Sequence, residues 1–140
     1  MKYKCGYTTG VFDLFHIGHL NLLKQAKMNC EYLIVGVSSD ELVLQVKGKK
    51  TIIPCSERME ILSAIIYVDK VVKQYSADKL NDWEKYHFDV VFHGSDWENS
   101  EIDLINASVL KDKDVDFIYF DRGNYLSTTQ ICEKIRKETI

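Results

Sequence analysis

The hydrophobic positions of this chain follow two alternating spacings, one typical of buried strands and one typical of helices. Residues 32–37 form a continuous apolar run of the kind that a parallel sheet buries. In residues 18–29, Leu20, Leu23 and Ala26 share one helical face. Further strands are predicted at 3–9, 68–72, 88–93 and 115–120, and further helices at 78–86, at 101–110 and after the possible caps 38–40, Ser56 and Ser127.

This alternation predicts βαβ units with right-handed crossovers. We therefore expect an α/β fold of the Rossmann-like kind, a doubly wound parallel sheet with helices on both faces in three layers. The whole chain, 1–140, is expected to form one domain. The helix after Ser56 would carry Met59, Leu62 and Ile66 on its apolar side. The segment Ser127-Thr128-Thr129-Gln130 matches a capping box, with Ser127 at the N-cap.

Composition narrows the function classes. The chain has 140 residues, 46% of them hydrophobic, which indicates a folded rather than a disordered protein. Its net charge of −3 argues against nonspecific nucleic-acid binding, so an anionic ligand must meet local positive charge. Two places offer such charge, the segment Lys47-Gly48-Lys49-Lys50 and Arg122.

Cysteine spacing and hydropathy add three expectations. The four cysteines, Cys5, Cys30, Cys55 and Cys132, have neither zinc-ligand spacing nor a paired motif, so we predict reduced thiols and no protein metal site. No apolar run is long enough to span a bilayer, and no signal-peptide core opens the chain. A cytoplasmic protein without membrane insertion is expected.

The segment with the clearest chemistry is residues 10–19, Gly-Val-Phe-Asp-Leu-Phe-His-Ile-Gly-His. It follows a predicted strand and opens a predicted helix, where unpaired backbone N–H groups and the helix dipole favour anions. His16 and His19 lie one helical turn apart, and Gly18 lies between them, where a phosphate could approach the backbone. The segment therefore predicts a polyphosphate site at the carboxyl end of the first strand.

Two motifs give the chain a resemblance to the cytidylyltransferase family. The pattern G-x-F-D-x-x-H-x-G-H is filled at every fixed position, and the pattern R-T-x-G-I-S-T-T is approximated by residues 122–129. A weaker likeness joins Glu57-Arg58 to the segment 67–71, and the resemblance covers roughly residues 3–136. It implies that CMP is transferred from CTP to a small alcohol or polyol phosphate, glycerol 3-phosphate being the first expectation, with release of pyrophosphate. The nucleophile would be a phosphate oxygen, so no general base is required.

The resemblance also implies roles for individual residues. The expected catalytic residues are His16, His19, Lys47 and Arg122. Nucleotide contacts are expected from Thr9, Gly10, Val11, Phe12, Asp13, Gly18, Asp96, Leu126, Ser127, Thr128 and Thr129. Acceptor contacts are expected from Lys47, Lys49 and Arg58. Mg²⁺ is expected to arrive with CTP, held mainly by phosphates, and a homodimer is expected.

The chain departs from the family pattern at two positions. Ile66 stands where the family has a basic residue, and Tyr125 stands where it has a glycine, with a glycine at 123 instead. Two alternatives stay open: an adenylyltransferase of the same superfamily, and a nucleotide-sensing module without turnover, which these two departures motivate.

Several residues also have plain structural interpretations. Asp13 could cap the first helix, and Arg58 could brace its own helix against a neighbour. His87, His93, Trp83 and Trp97 are expected to be structural.

Overall fold

A single five-stranded parallel sheet organises the protein, with strand order β3-β2-β1-β4-β5. The computed structural model describes residues 2–121, 123 and 125–138. The strands are β1 (Tyr3–Gly10), β2 (Cys30–Ser38), β3 (Lys70–Gln74), β4 (Val90–Gly94) and β5 (Asp116–Phe120). The helices are α1 (Ile17–Met28), α2 (Asp40–Lys47), α3 (Cys55–Ser63), α4 (Lys79–Tyr86), α5 (Glu101–Val109) and α6 (Thr128–Glu138). The predicted doubly wound α/β fold is confirmed.

Successive residues of the central strands belong to two separate hydrophobic cores, because side chains alternate between the two faces of a sheet. Leu33, Val35 and Val37 of β2 join one cluster, which α1 and α3 cover through Leu23 and Leu62. On the other face, Ile34 joins Tyr7, Phe88, Val91 and Leu110. Both faces of the sheet are therefore buried, as a three-layer arrangement requires.

The third helix begins earlier than predicted, and a tertiary contact explains the difference. Its N-cap is Pro54, and no side chain of its own segment caps it, so the predicted cap at Ser56 is wrong. The Cys55 N–H donates instead to the Asp40 carboxylate, 3.2 Å away on α2. The helix also ends at Ser63, which leaves Ile66 86% exposed rather than on an apolar stripe.

Strand order places the functional end of the sheet. From β1 the chain winds outward through β2 to β3, then crosses to the other side of β1 to form β4 and β5. The change of direction between β1 and β4 opens a crevice at their carboxyl ends, where ligands of such sheets bind. The four cysteines are free thiols, as predicted. Among the described residues, no helix combines the length and apolar character needed to span a bilayer.

Candidate active site

A cavity of about 930 Å³ lies at this crevice, within the size range of small-molecule sites. Most of the predicted site residues line it: Thr9, Gly10, Val11, Phe12, Asp13, His16, Gly18, His19, Lys47, Lys49, Asp96, Ser127, Thr128 and Thr129. Leu126 and Arg58 are not part of its wall. Arg122 lies outside the described residues. The fold thus gathers most of the predicted residues into one place, while their roles remain predictions.

The two histidines form the start of α1. His16 is the N-cap residue, and its Nδ1 accepts the Gly18 N–H at 3.1 Å. His19 is the third helical residue, and its Nδ1 accepts the His16 N–H at 3.3 Å. The two imidazole rings stack with their centroids 3.8 Å apart. The pair is therefore a capping box built from histidines.

This cap sets the tautomer of both rings. A nitrogen that accepts a hydrogen bond carries no proton, so each ring holds its proton on Nε2. Both side chains line the cavity. The helix start therefore fixes both imidazoles with Nε2 as their N–H donor, a pattern suited to phosphate oxygens.

Gly18 makes room for His16 rather than only for a ligand. A Cβ built on Gly18 would lie 2.9 Å from Cε1 and 3.0 Å from Nδ1 of the His16 ring. Any larger residue would push the imidazole out of its capping position. The missing side chain at Gly18 thus leaves room for the His16 ring, and the approach of a phosphate to its backbone stays a prediction.

The loop before α1 is held in an unusual backbone conformation. Phe12 and Leu14 have φ angles of 55° and 51°, in the left-handed region that non-glycine residues rarely adopt. Phe12 is 5% exposed, and its ring lies edge-on to His19 at 5.3 Å. Burial of this ring helps to stabilise the strained turn that delivers the histidines.

Asp13 ties this loop to the segment that carries the lysines. Its two carboxylate oxygens accept the N–H groups of Ile52 and Ile53, at 2.8 and 3.0 Å. It does not cap α1, since His16 does so. Its backbone oxygen accepts the Thr128 hydroxyl at 2.9 Å, which brings the start of α6 beside the histidines.

Arg58 is a structural residue, and the expectation that it contacts substrate does not fit its surroundings. It is 1% exposed. Its guanidinium donates to the carbonyls of Val11, Ser38 and Ile53 and to the Asp40 carboxylate, at 2.7 to 3.0 Å. Burial alone would raise the pKa of Asp40, but hydrogen bonds from Arg58, Cys55 and Thr51 outweigh it and hold that pKa below its usual range. One buried cation thus joins three loops behind the cavity.

The predicted capping box at the last helix is confirmed. The Gln130 N–H donates to Ser127 Oγ at 3.1 Å, and the Ser127 N–H donates to Gln130 Oε1 at 2.8 Å. The box fixes the start of α6 at the cavity wall. Gly123 adopts a φ of 76°, in the left-handed region, whereas Tyr125 is not among the described residues with a positive φ.

Positive charge reaches the cavity from several elements. Lys47 is the last residue of α2, Gly48 ends the helix with a φ of 67°, and Lys49 and Lys50 follow; all three lysines line the cavity. Sequence reasoning missed Lys79 at the start of α4 and Arg136 on α6, which also line it.

Lys79 is the more informative of the two missed residues. It is 3% exposed and forms no ion pair among the described residues. Burial lowers its pKa, against the opposing pull of Asp103 and Asp82. A lysine next to a helix cap is usually solvated, so no local signal marks it, although a buried cation facing a cavity is suited to an anionic ligand.

A buried polar network lies behind the floor of the cavity. His93 on β4 is 3% exposed, and its Nδ1 lies 2.8 Å from the Asp103 carboxylate of α5. Its Nε2 lies 3.1 Å from the hydroxyl of Thr9, which lines the cavity. The Tyr119 hydroxyl donates to the same Asp103 oxygen at 2.9 Å. Trp97, expected to be structural, packs on His93 and also lines the cavity.

The donor set around the cavity bears on metal binding. No group of three or more histidine, cysteine, aspartate or glutamate side chains comes together in a metal-binding arrangement within the described part of the chain. Asp96, Asp121 and Glu133 line the cavity at separate places. Such isolated carboxylates fit a Mg²⁺ ion that takes most of its ligands from phosphates and water.

Comparison with known proteins agrees with this geometry. Residues 7–134 match the family model described as cytidylyltransferase-like. The chain is 40% identical over 129 residues to a glycerol-3-phosphate cytidylyltransferase of Staphylococcus aureus, covering 91% of this chain and 92% of that one. It is 39% identical over 129 residues to the protein of the same name from Bacillus subtilis, covering 91% and 94%.

A solved structure shows the same fold. The lipopolysaccharide core biosynthesis protein of Thermoplasma volcanium superposes with a TM-score of 0.72 at 24% identity, covering 89% of this chain and 99% of that one. The chain therefore belongs to the cytidylyltransferase-like family and is a nucleotidyltransferase by class.

Proposed function

We propose that this protein transfers CMP from CTP to glycerol 3-phosphate and releases pyrophosphate. The observation that carries the proposal is the pair of Nε2–H donors fixed at the start of α1, on the wall of a cavity lined by lysines. Relatives named glycerol-3-phosphate cytidylyltransferase support this donor and acceptor, since they match this chain over about nine-tenths of its length.

The reaction needs charge control more than acid–base chemistry. An oxygen of the acceptor phosphate forms a bond to the α-phosphorus of CTP, and the bond from that phosphorus to the bridging oxygen breaks. A phosphomonoester is mostly dianionic at neutral pH, because its second pKa is about 6. The two substrates therefore repel each other, and catalysis depends on positioning them and on neutralising the departing pyrophosphate.

The cavity residues divide this work between them. His16 and His19 donate to phosphate oxygens as negative charge moves toward the leaving group. Lys47 and Lys49, with Lys79 at the floor, bring the acceptor phosphate and the triphosphate together. The start of α6 adds the backbone N–H groups of Thr128 and Thr129 and the hydroxyls of Ser127 and Thr129, since the Thr128 hydroxyl already donates to Asp13. Arg122 is proposed to bind the nucleotide, as the family resemblance implies.

Mg²⁺ is proposed to enter with CTP. It would reduce the charge of the triphosphate, and Asp96 is the proposed carboxylate neighbour on the cavity wall. A cytoplasmic location and a homodimer stay predictions.

Substrate choice is the direct test of this function. Pyrophosphate release is measured with purified protein and Mg²⁺, with CTP or ATP as donor, across a panel of acceptors that includes glycerol 3-phosphate, phosphoethanolamine and pantetheine phosphate. We expect release with CTP and glycerol 3-phosphate. Faster release with ATP would favour adenylyl transfer, and CTP binding without release on any acceptor would favour a sensor.

A matched pair of lysine variants sharpens this test. Lys79→Met removes the buried cation while keeping the length of the side chain, and Lys137→Met removes an exposed cation near the end of α6. Under the proposal the first raises KM for the acceptor phosphate by about tenfold or more, while the second leaves it unchanged. An unchanged KM in Lys79→Met would show that Lys79 does not bind the acceptor phosphate.

A further inference from the structure

Thr9 holds a single side-chain rotamer at the floor of the cavity. It is the penultimate residue of the central strand β1, which pairs with β2 on one side and with β4 on the other. A Cβ built on Gly36 of β2 would lie 3.1 Å from the Thr9 methyl carbon, so the methyl packs on that glycine. The hydroxyl points the other way, to His93 Nε2 on β4 at 3.1 Å. Within the described part of the chain, His93 is the only hydrogen-bond partner of this hydroxyl.

The Asp103–His93 pair determines whether the Thr9 hydroxyl donates or accepts in its hydrogen bond to His93. Burial would raise the pKa of Asp103, but bonding to His93 outweighs this and holds that pKa below its usual range, so the carboxylate is charged. The His93 proton therefore lies on Nδ1, facing Asp103 at 2.8 Å. Burial, helped by the charge of Lys79, lowers the pKa of His93 and outweighs the hydrogen bond and charge of Asp103 and the charge of Asp96, so the ring is neutral at pH 7. Its bare Nε2 can only accept, and the Thr9 hydroxyl must donate to it.

This polarity determines what Thr9 offers to a ligand. With its proton committed to His93, the hydroxyl presents only lone pairs to the cavity. A phosphate oxygen, which is also an acceptor, cannot pair with it, whereas a hydroxyl group of a ligand can donate to it. Both substrates of the proposed reaction carry such groups, on the ribose of CTP and on the glycerol backbone.

We propose that the buried Asp103–His93 pair positions the Thr9 hydroxyl as an acceptor for a substrate hydroxyl, and that this contact makes the site prefer hydroxylated substrates over their deoxy analogues. The inference rests on the proposed function for the identity of the two substrates. His93 and Asp103 act here as positioning residues, because of these three residues only Thr9 lines the cavity.

The test compares ligand pairs that differ by one hydroxyl group. Calorimetry measures Kd for CTP against its 2′-deoxy and 3′-deoxy forms, and for glycerol 3-phosphate against propane-1,2-diol 1-phosphate, propane-1,3-diol phosphate and propyl phosphate. The nucleotide and acceptor arms distinguish the two sources of the hydroxyl. We expect a preference of about tenfold for the hydroxylated member in one arm. Equal affinities in every pair would overturn the proposal.

Three threonine variants locate that preference. Thr9→Val keeps the shape of the side chain and removes the hydroxyl, so the preference should disappear, while Thr9→Ser should keep it. Thr8→Val is the matched control, because the adjacent Thr8 hydroxyl is buried and has no hydrogen-bond partner among the described residues. It should leave every Kd unchanged. A preference that survives in Thr9→Val would overturn the proposal.

Substitution of His93 separates positioning from a purely structural role. His93→Leu should reduce the preference, but in the double variant with Thr9→Val it should cause no further loss. A structural role would lower the unfolding temperature and leave the preference intact, which would contradict the positioning role. Thr9→Val and Thr9→Ser keep the test decisive if His93→Leu does not fold. Since binding is measured without turnover, failure of cytidylyl transfer would appear separately in pyrophosphate release.

Discussion

One ring nitrogen of His16 and of His19 caps the backbone, and the other is the proposed donor to the ligand. Each Nδ1 accepts a backbone N–H at the start of α1, which leaves Nε2 as the N–H donor of each ring. A helix cap and a pair of hydrogen-bond donors are therefore one structure. This overlap means that a simple deletion of either ring mixes a loss of stability with a loss of function.

Two substitutions of His16 separate these effects. His16→Ala should lower kcat by about 10²- to 10³-fold, as the loss of a preorganised donor does, and should also cost about 1 kcal/mol of unfolding free energy, since alanine is a poor N-cap. His16→Asn should lower kcat as much, yet retain most of the stability, because asparagine is a good N-cap. Kinetics and urea unfolding measure the two quantities. His87→Asn, on an exposed residue, is the control, and near-normal kcat in both His16 variants would contradict the assigned role.

Gly18 gives a prediction about activity that differs from the usual effect of replacing a helix glycine. In most helices, glycine to alanine adds up to about 1 kcal/mol of stability. Here Gly18→Ala places a methyl group within 3 Å of the His16 ring, so we expect kcat to fall through displacement of that donor. Added to His16→Ala, the same change should have little further effect on kcat. Fully additive losses would show that Gly18 acts independently of His16.

The sequence predicted site residues that belong to a local motif, but not those that depend on which residues are buried together in the fold. The decapeptide at 10–19 marked both histidines, and the capping box marked Ser127, because local spacing carries those signals. Lys79 and the partners of Thr9 come from separate elements that only the folded sheet brings together. Arg58 illustrates the opposite error, since its motif suggested a ligand contact while its four acceptors are all part of the protein.

At the scale of elements, the cavity depends on loops that are fastened to each other. Arg58 on α3 reaches the loop after β1 through Val11, the end of β2 through Ser38 and the loop before its own helix through Ile53. Asp13 adds two bonds between the first and last of these loops. Partly buried carbonyls left without donors are costly, so Arg58 should contribute more to stability than its single ion pair suggests.

A comparison of two ion pairs tests this point. Arg58→Met should lower the free energy of unfolding by about 3 kcal/mol or more, because it leaves three carbonyl groups and a carboxylate without their hydrogen-bond donor. Lys27→Met breaks an ion pair of similar length, 2.6 Å to Asp69, whose side chains are 29% and 31% exposed. We expect it to cost less than about 1 kcal/mol. Urea unfolding measures both, and equal losses would show that the extra bonds of Arg58 have no net effect.

At the scale of the whole molecule, three titratable side chains are buried together where β4, α4 and α5 meet. Asp103, His93 and Lys79 lie on three different elements, and each is less than 4% exposed. Burial lowers the pKa of His93. Burial would raise the pKa of Asp103, but the hydrogen bond between Asp103 and His93 outweighs it, so the pKa of Asp103 is also lowered. Both shifts mean that the unfolded chain takes up protons more readily than the folded one, so acid should favour unfolding.

The sign and window of this effect can be measured. A lowered His93 pKa gives stability that is present above its ordinary value of about 6.5 and is lost as pH falls through the folded-state pKa. The loss through Asp103 follows below about pH 4. Urea unfolding at steps from pH 7.5 to 5 should therefore show declining stability, with a shallower decline in His93→Leu. An identical slope in both proteins would contradict a lowered His93 pKa.

The architecture was more accessible to sequence reasoning than the boundaries were. Parallel strands buried on both faces leave continuous apolar runs, so the existence of β2 and β4 followed from residues 32–37 and 88–93. The start of α3 did not follow, because the group that satisfies its first N–H is Asp40, fifteen positions away in another helix. Side-chain partners from distant elements shift helix ends, and hydropathy carries no record of them.

The two hydrogen bonds that Asp13 accepts from the Ile52 and Ile53 amides matter for any redesign of this enzyme. A graft that exchanged the lysine-bearing loop for a loop of different length would have to offer the same pair of amides in the same place, or the turn that presents the histidines would lose its anchor. Specificity for a new acceptor is therefore best sought by exchanging single side chains within the existing loop frame.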